Sequence, residues 1–217
     1  MSDSLIIDLL KAIIGPLLTV GLAWVVGNEI SANWTHRQKR REYSLTVVAE
    51  FYRVYGDFFA LWKLCNFTFR DSKSDPAHAG IQDLLNSATK LESRMETLLL
   101  RIASEVKLEP SEIKSLGLFR QGVQLLRQSI VKRRILGWTS SEHPEYKAFK
   151  SLSVAVGKLA SRVGEKDAPA LEIAQDQMGK ITHSDWNKEW QDTIAKKQDG
   201  KSADNVALGA VEQDHAA

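Results

Sequence analysis

Cysteine is almost missing from this chain: Cys65 is the only one in 217 residues, so no disulfide can close within one copy. One thiol suits a reducing compartment. Cys65 lies between Leu64 and Asn66 in an aromatic-rich stretch, which predicts a packed core thiol rather than a nucleophile. Proline is scarce too, and after Pro16 each one (Pro76, Pro110, Pro144, Pro169) stands where a helix is expected to begin. Alternating runs of Val, Ile and Thr are absent beyond a few residues, which removes the case for strands. A charge excess of either sign is lacking as well: 29 Lys and Arg stand against 27 Asp and Glu. That balance argues against nucleic acid as a partner, since no strongly basic face is on offer.

The chemistry-bearing patterns are equally thin. A carboxylate-bridged metal site in a helical protein needs Glu-x-x-His elements, and none occurs. Of the histidines, His78, His143, His183 and His215 fall in expected loops, caps or tail, and His36 lies in a basic stretch. There is no Gly-x-Ser-x-Gly elbow and no Cys–His pairing for nucleophilic catalysis. Gly200-Lys201-Ser202 lacks the upstream glycines of a phosphate-binding loop. No catalytic residue, cofactor or metal is assigned.

What the chain does have is a long apolar run, Leu5 to Val26, followed by His36-Arg37-Gln38-Lys39-Arg40-Arg41. About 20 helical residues cross a hydrocarbon core of about 30 Å, so the run predicts a single transmembrane helix over roughly 5–27. Asp8 and Lys11 share one helical face near its outer boundary, and Trp24 and Trp34 suit the opposite interface. Positive charge at Arg37, Lys39, Arg40 and Arg41 marks the cytoplasmic side and offers contacts to anionic headgroups. The start is acidic, and Ile30-Ser31-Ala32 places a bulky residue where signal cleavage wants a small one, so an anchor is expected over a removed leader. Gly15, Thr19, Ala23 and Gly27 recur every fourth residue, a small-residue face that lets two membrane helices approach closely and self-associate.

Beyond the anchor the periodicity is helical throughout. Two adjacent stripes, Leu45/Val48/Tyr52/Tyr55/Phe59/Trp62 and Val47/Phe51/Val54/Phe58/Leu61, give one helix to about Phe69 a wide apolar face, and Gly56 within it suits a close crossing. A polar loop 70–80 precedes a helix over Ile81–Leu108. The next helix starts at Pro110 and stops near Gly137 after Lys132-Arg133-Arg134. Thr139-Ser140-Ser141 offers capping oxygens for a fourth helix lined by Tyr146, Phe149, Leu152, Val156, Leu159 and Val163. A break at 164–169 leads to a short helix with Leu171, Ala174, Met178 and Ile181. Trp186, Trp190 and Ile194 line a last one, expected to dock on the bundle.

The expected architecture is therefore all-α: an N-terminal membrane anchor over 1–34, an antiparallel cytoplasmic helical bundle over 35–197, and a disordered tail over 198–217. The expected location is a bacterial inner membrane, single-pass, with the N-terminus outside. The leading functional expectation is a membrane-anchored interaction or scaffold protein, homo-oligomeric, without evident catalysis, gripping an unidentified protein. Trp62, Phe67 and Phe69 are the candidate partner groove. Two alternatives stand beside it: an oligomerising effector that perturbs the bilayer, as in defence or lysis, and an enzyme with an unrecognised pocket near carboxylates or His183.

Overall fold

The computed structural model describes residues 3–70, 78–136, 138, 143–165, 167–183 and 185–195; within the helices, the side chains of 3–23, 25–26, 28–29, 32–33, 36 and 78–79 lie outside the description. Among the described residues there are six helices and no strand. They are α1 (Asp3–Arg70), α2 (His78–Glu105), α3 (Pro110–Val131), α4 (Pro144–Ser161), α5 (Leu171–Ile181) and α6 (186–195). The chain divides into two units, Met1–Tyr43 and Ser44–Ala217. Among the described residues no helix is long and apolar enough to cross a membrane. Most side chains of the run on which the expected span rests lie outside the description, and the expected tail lies outside the described residues.

In the second unit, α1 presents Val47, Phe51, Val54, Phe58, Leu61 and Cys65 as one buried stripe stepping by four and three. The neighbouring stripe only flanks it: Val48, Tyr55, Phe59 and Trp62 are half-buried, while Leu45 and Tyr52 are exposed. Packing explains the ranking. Phe58 stacks on Phe149 with centroids 4.2 Å apart and reaches Trp138 at 5.6 Å, and Phe51 meets Phe119 at 6.2 Å. Phe119 in turn stacks on Phe149 at 5.3 Å. Such pairs add about 0.5–1.5 kcal/mol each beyond the area they bury.

Cross-helix pairs fix the order and direction of the bundle. Glu50 and Asp57 of α1 meet Arg101 and Arg94 of α2, so these two run antiparallel. Glu92 and Glu96 of α2 meet Arg127 and Arg120 of α3. Glu112 of α3 meets Arg162 just beyond α4, while Gly122 of α3 lies against Phe149. Ser44 reaches Ser161, and Phe51 touches Gly157. From α1 to α4 each consecutive pair is antiparallel, and α4 returns beside α1, as short connections between amphipathic helices require.

Local chemistry sets the helix ends. Pro110 opens α3 at the position where a missing N–H costs nothing, and the Glu109 N–H donates to Glu112 Oε2 at 2.9 Å. The helix does not continue to Gly137, as the sequence suggested. It stops at Val131, with Arg133 at φ 50°, its N–H on the Ile130 carbonyl at 3.0 Å and the Arg134 N–H on that of Ser129 at 2.9 Å. That is a Schellman closure built without glycine. Likewise α4 starts at Pro144 with His143 as its capping residue; the expected caps Thr139-Ser140-Ser141 lie outside the described residues.

Close approaches also differ from expectation. Among the described residues nothing lies within 4 Å of a Cβ placed on Gly56, so none of the described helices crosses closely there. The close crossings use Gly117, which admits the Trp186 indole, Gly122, which admits Phe149, and Gly157, which admits Phe51. α5 packs on α2 and α3 through Gln177 and Ile181, and Leu171 is left exposed. α6 buries Trp190 and Ile194, with Trp190 6.5 Å from Trp138.

Candidate functional site

The seams of the bundle are unequal. Ion pairs stitch α1 to α2 (Glu50–Arg101 at 2.8 Å, and Asp57–Arg94), α2 to α3 (Glu96–Arg120 at 2.5 Å, Glu92–Arg127 at 2.9 Å), and α3 to the end of α4 (Glu112–Arg162). Along the α1/α4 seam, neither Lys150 nor Lys158 joins a carboxylate among the described residues. A cleft of about 460 Å³ opens there instead.

Val48, Tyr52 and Tyr55 form one wall of this cleft, spaced so that a single face of α1 carries them. Lys150, Val154 and Lys158 form the other, at four-residue steps along α4. The floor is Phe51, Ser153 and Gly157. Gly157 makes room for the Phe51 edge: a Cβ there would sit 3.0 Å from Cε1. Ser153 is buried and returns its hydroxyl to the Phe149 carbonyl at 2.8 Å, so the floor offers no free donor. At one end the Ser44 hydroxyl donates to the Ser161 carbonyl at 3.0 Å. Burial, with the Tyr146 hydroxyl adding to it, pushes the Tyr55 phenol above its ordinary value.

Tyr52 is 65% exposed and Val154 58%, high values for large apolar groups facing one another across a groove. Lys150 and Lys158 form no ion pair among the described residues, and no carboxylate lines the cleft. The surface is apolar with a positive rim, suited to grip an apolar segment that carries acidic side chains.

A second cleft, about 530 Å³, lies among Pro110, Ile113, Asp176, Lys180, His183, Asp185, Trp186 and Glu189. Lys180 and Glu189 are already engaged: Lys180 holds Asp176 at 2.7 Å, and Glu189 pairs with Lys114 from outside the cleft. His183 Nδ1 accepts the Asp185 N–H at 3.4 Å, and Trp186 Nε1 donates to the Lys180 carbonyl at 3.0 Å. Among the described residues, no group of three His, Cys, Asp or Glu side chains is placed to hold a metal ion.

The residues singled out from sequence fall in several places. Trp62 and Phe69 are half-buried against the core, while Phe67 is 68% exposed, on another face of α1; the structure does not bring the three together. Trp62 packs on Phe59, Trp138 and Tyr146. Arg37, Lys39 and Arg41 are exposed, Arg40 is half-buried, and Trp24, Gly27 and Trp34 are exposed. Gly15, Thr19 and Ala23 have side chains outside the description. Cys65 is buried, and burial pushes its thiol from the ordinary 9.0 up to about 11. The Lys150/Val154/Lys158 row went unread, although an apolar residue set four from a lysine on each side, off the core face, is a signal a sequence can give.

Comparison with family models, curated proteins and solved structures finds no match to this chain.

Proposed function

We propose that this chain is a membrane-anchored interaction protein: a helical bundle held at the cytoplasmic face of a bacterial inner membrane, self-associating and acting as a scaffold. The observation that carries the interaction part is the open α1/α4 seam, with exposed Tyr52 and Val154 between Lys150 and Lys158. Stable interfaces need an apolar centre with a polar rim, and this groove has both. The anchor part rests on the uncharged stretch from Ala12 to Asn28 and the four positive charges Arg37, Lys39, Arg40 and Arg41 that follow.

The mechanism is concentration rather than catalysis. Confining a gripping surface to two dimensions raises its effective concentration toward anything else on the same membrane, with no new contact required. Cell fractionation tests this: the full-length chain is expected in the membrane pellet, resistant to carbonate, with its bulk protected from protease in intact spheroplasts. Recovery in the high-speed supernatant removes the anchor, and digestion of the bulk reverses the orientation.

A second reading draws on the Gly15, Thr19, Ala23 and Gly27 spacing. As an oligomerising effector, the chain would assemble through that face and make the bilayer leak. Dye leakage on expression, abolished by Gly15→Leu with Gly27→Leu, favours the effector; intact membranes favour the scaffold.

A further inference from the structure

The bundle carries a surface that matches its own open seam. α5 is held by Gln177 and Ile181, both buried, and its first turn is left outward. There Leu171 is 68% exposed with Glu172 exposed beside it, while Ile173, two residues on, lies on the far side of the helix. Lys180 is the single cation of α5 and is taken by Asp176, whereas Glu172 forms no ion pair among the described residues. One surface thus presents two lysines around an apolar groove, and the other presents the Glu172 carboxylate beside the exposed Leu171. Lys150 has the Tyr146 ring 5.9 Å from its Nζ, and Glu172 stands in the first turn of α5. Yet neither Lys150, Lys158 nor Glu172 has an ion-pair partner among the described residues, and the two surfaces are of opposite charge.

We propose that the α1/α4 groove receives the first turn of α5 from a second copy of this chain. Leu171 seats on Tyr52 and Val154, and Glu172, next to it around the helix, turns to the lysine rim at Lys150 or Lys158. This rests on the self-association in the reading above and names the surfaces that perform it. Within one copy the contact is not made, because Leu171 and Tyr52 are both exposed. The two surfaces differ, so the contact is either reciprocal in a closed dimer or propagates head to tail into larger assemblies.

The test uses the full-length chain in mild detergent, with p-benzoylphenylalanine replacing Tyr52 or, in a separate variant, Val154. Neither position is in the core, so the fold is retained, which circular dichroism checks. Irradiation is expected to give a product of doubled mass whose cross-linked peptide contains Leu171. A charge exchange adds specificity. Lys150→Glu with Lys158→Glu is expected to lower co-purification of differently tagged copies about tenfold or more, Glu172→Lys to do the same, and mixing the two variants to restore it. Cross-links to another segment or to a different protein overturn the proposal, as does association indifferent to all three substitutions. Glutaraldehyde reports association as such. A glutaraldehyde dimer without the Leu171 cross-link defeats this groove alone, and no dimer by either route defeats self-association as well.

Discussion

The side-chain carbonyl of Gln177 accepts the Leu108 N–H at 2.8 Å, inside the protein and across the junction between α2 and α3. The amide nitrogen of the same side chain donates to the carbonyls of Ala103 at 2.7 Å and Val106 at 3.1 Å. One buried residue thus satisfies three backbone groups that the end of α2 leaves without helical partners. Replacing it with Leu keeps the bulk and strands those groups, each worth about 1–3 kcal/mol when left unpaired. Gln177→Leu is expected to cost about 2–4 kcal/mol in urea denaturation. Gln177→Glu is expected to be at least as damaging at neutral pH, where a carboxylate cannot donate, and to recover partly in acid.

Two glycines in helices separate propensity from packing. Gly56 has open space around it, so Gly56→Ala is expected to stabilise by about 0.5–1 kcal/mol, the helix-propensity gain alone. At Gly122 a Cβ would lie 2.7 Å from Phe149 Cδ2 and 3.3 Å from Trp190 Cη2. Phe149 is pinned in the aromatic stack, so overpacking of about 1–3 kcal/mol exceeds the same gain. Gly122→Ala is therefore expected to lower the melting temperature while Gly56→Ala raises it.

Arg133 occupies the left-handed position that closes α3, at φ 50°. A side chain there costs energy that glycine does not pay. Arg133→Gly is expected to be neutral to stabilising by up to about 1 kcal/mol, and Arg133→Val to destabilise; paired denaturation curves settle the order.

Cys65 gives a pH dependence with a definite sign. Its thiol titrates near 9.0 in the unfolded chain and about 11 in the fold, because burial opposes the thiolate. The folded state therefore holds the proton longer, and stability present below about pH 9 is lost as pH rises toward 11. Cys65→Ala is expected to flatten that part of the profile. At neutral pH the native thiol is expected to resist a disulfide reagent and to react fully once denatured.

Much of the architecture was legible in the order of residues, because helical periodicity and polar breaks act locally. The start at Pro110, the end of α1 beside Phe69 and the docked Trp190 follow from such signals. The choice between two adjacent stripes on α1 was not legible: both are apolar, and only Phe119, Phe149 and Trp138 decide that Phe51 and Phe58 turn inward rather than Tyr52. The same holds for glycines. Gly56 and Gly122 look alike in sequence, and only the arriving side chains distinguish them. The groove went unseen because its walls come from the first and fourth helices, and no local pattern announces that these two pack side by side.

The Phe58–Phe149 stack joins helices separated in the chain by the whole of α2 and α3. During synthesis the aromatic ridge of the first helix must therefore emerge, and stay uncovered, until the fourth has been made. The nascent polypeptide passes through a sticky stage that its finished form conceals, and anything that slows translation before α4 prolongs that hazard.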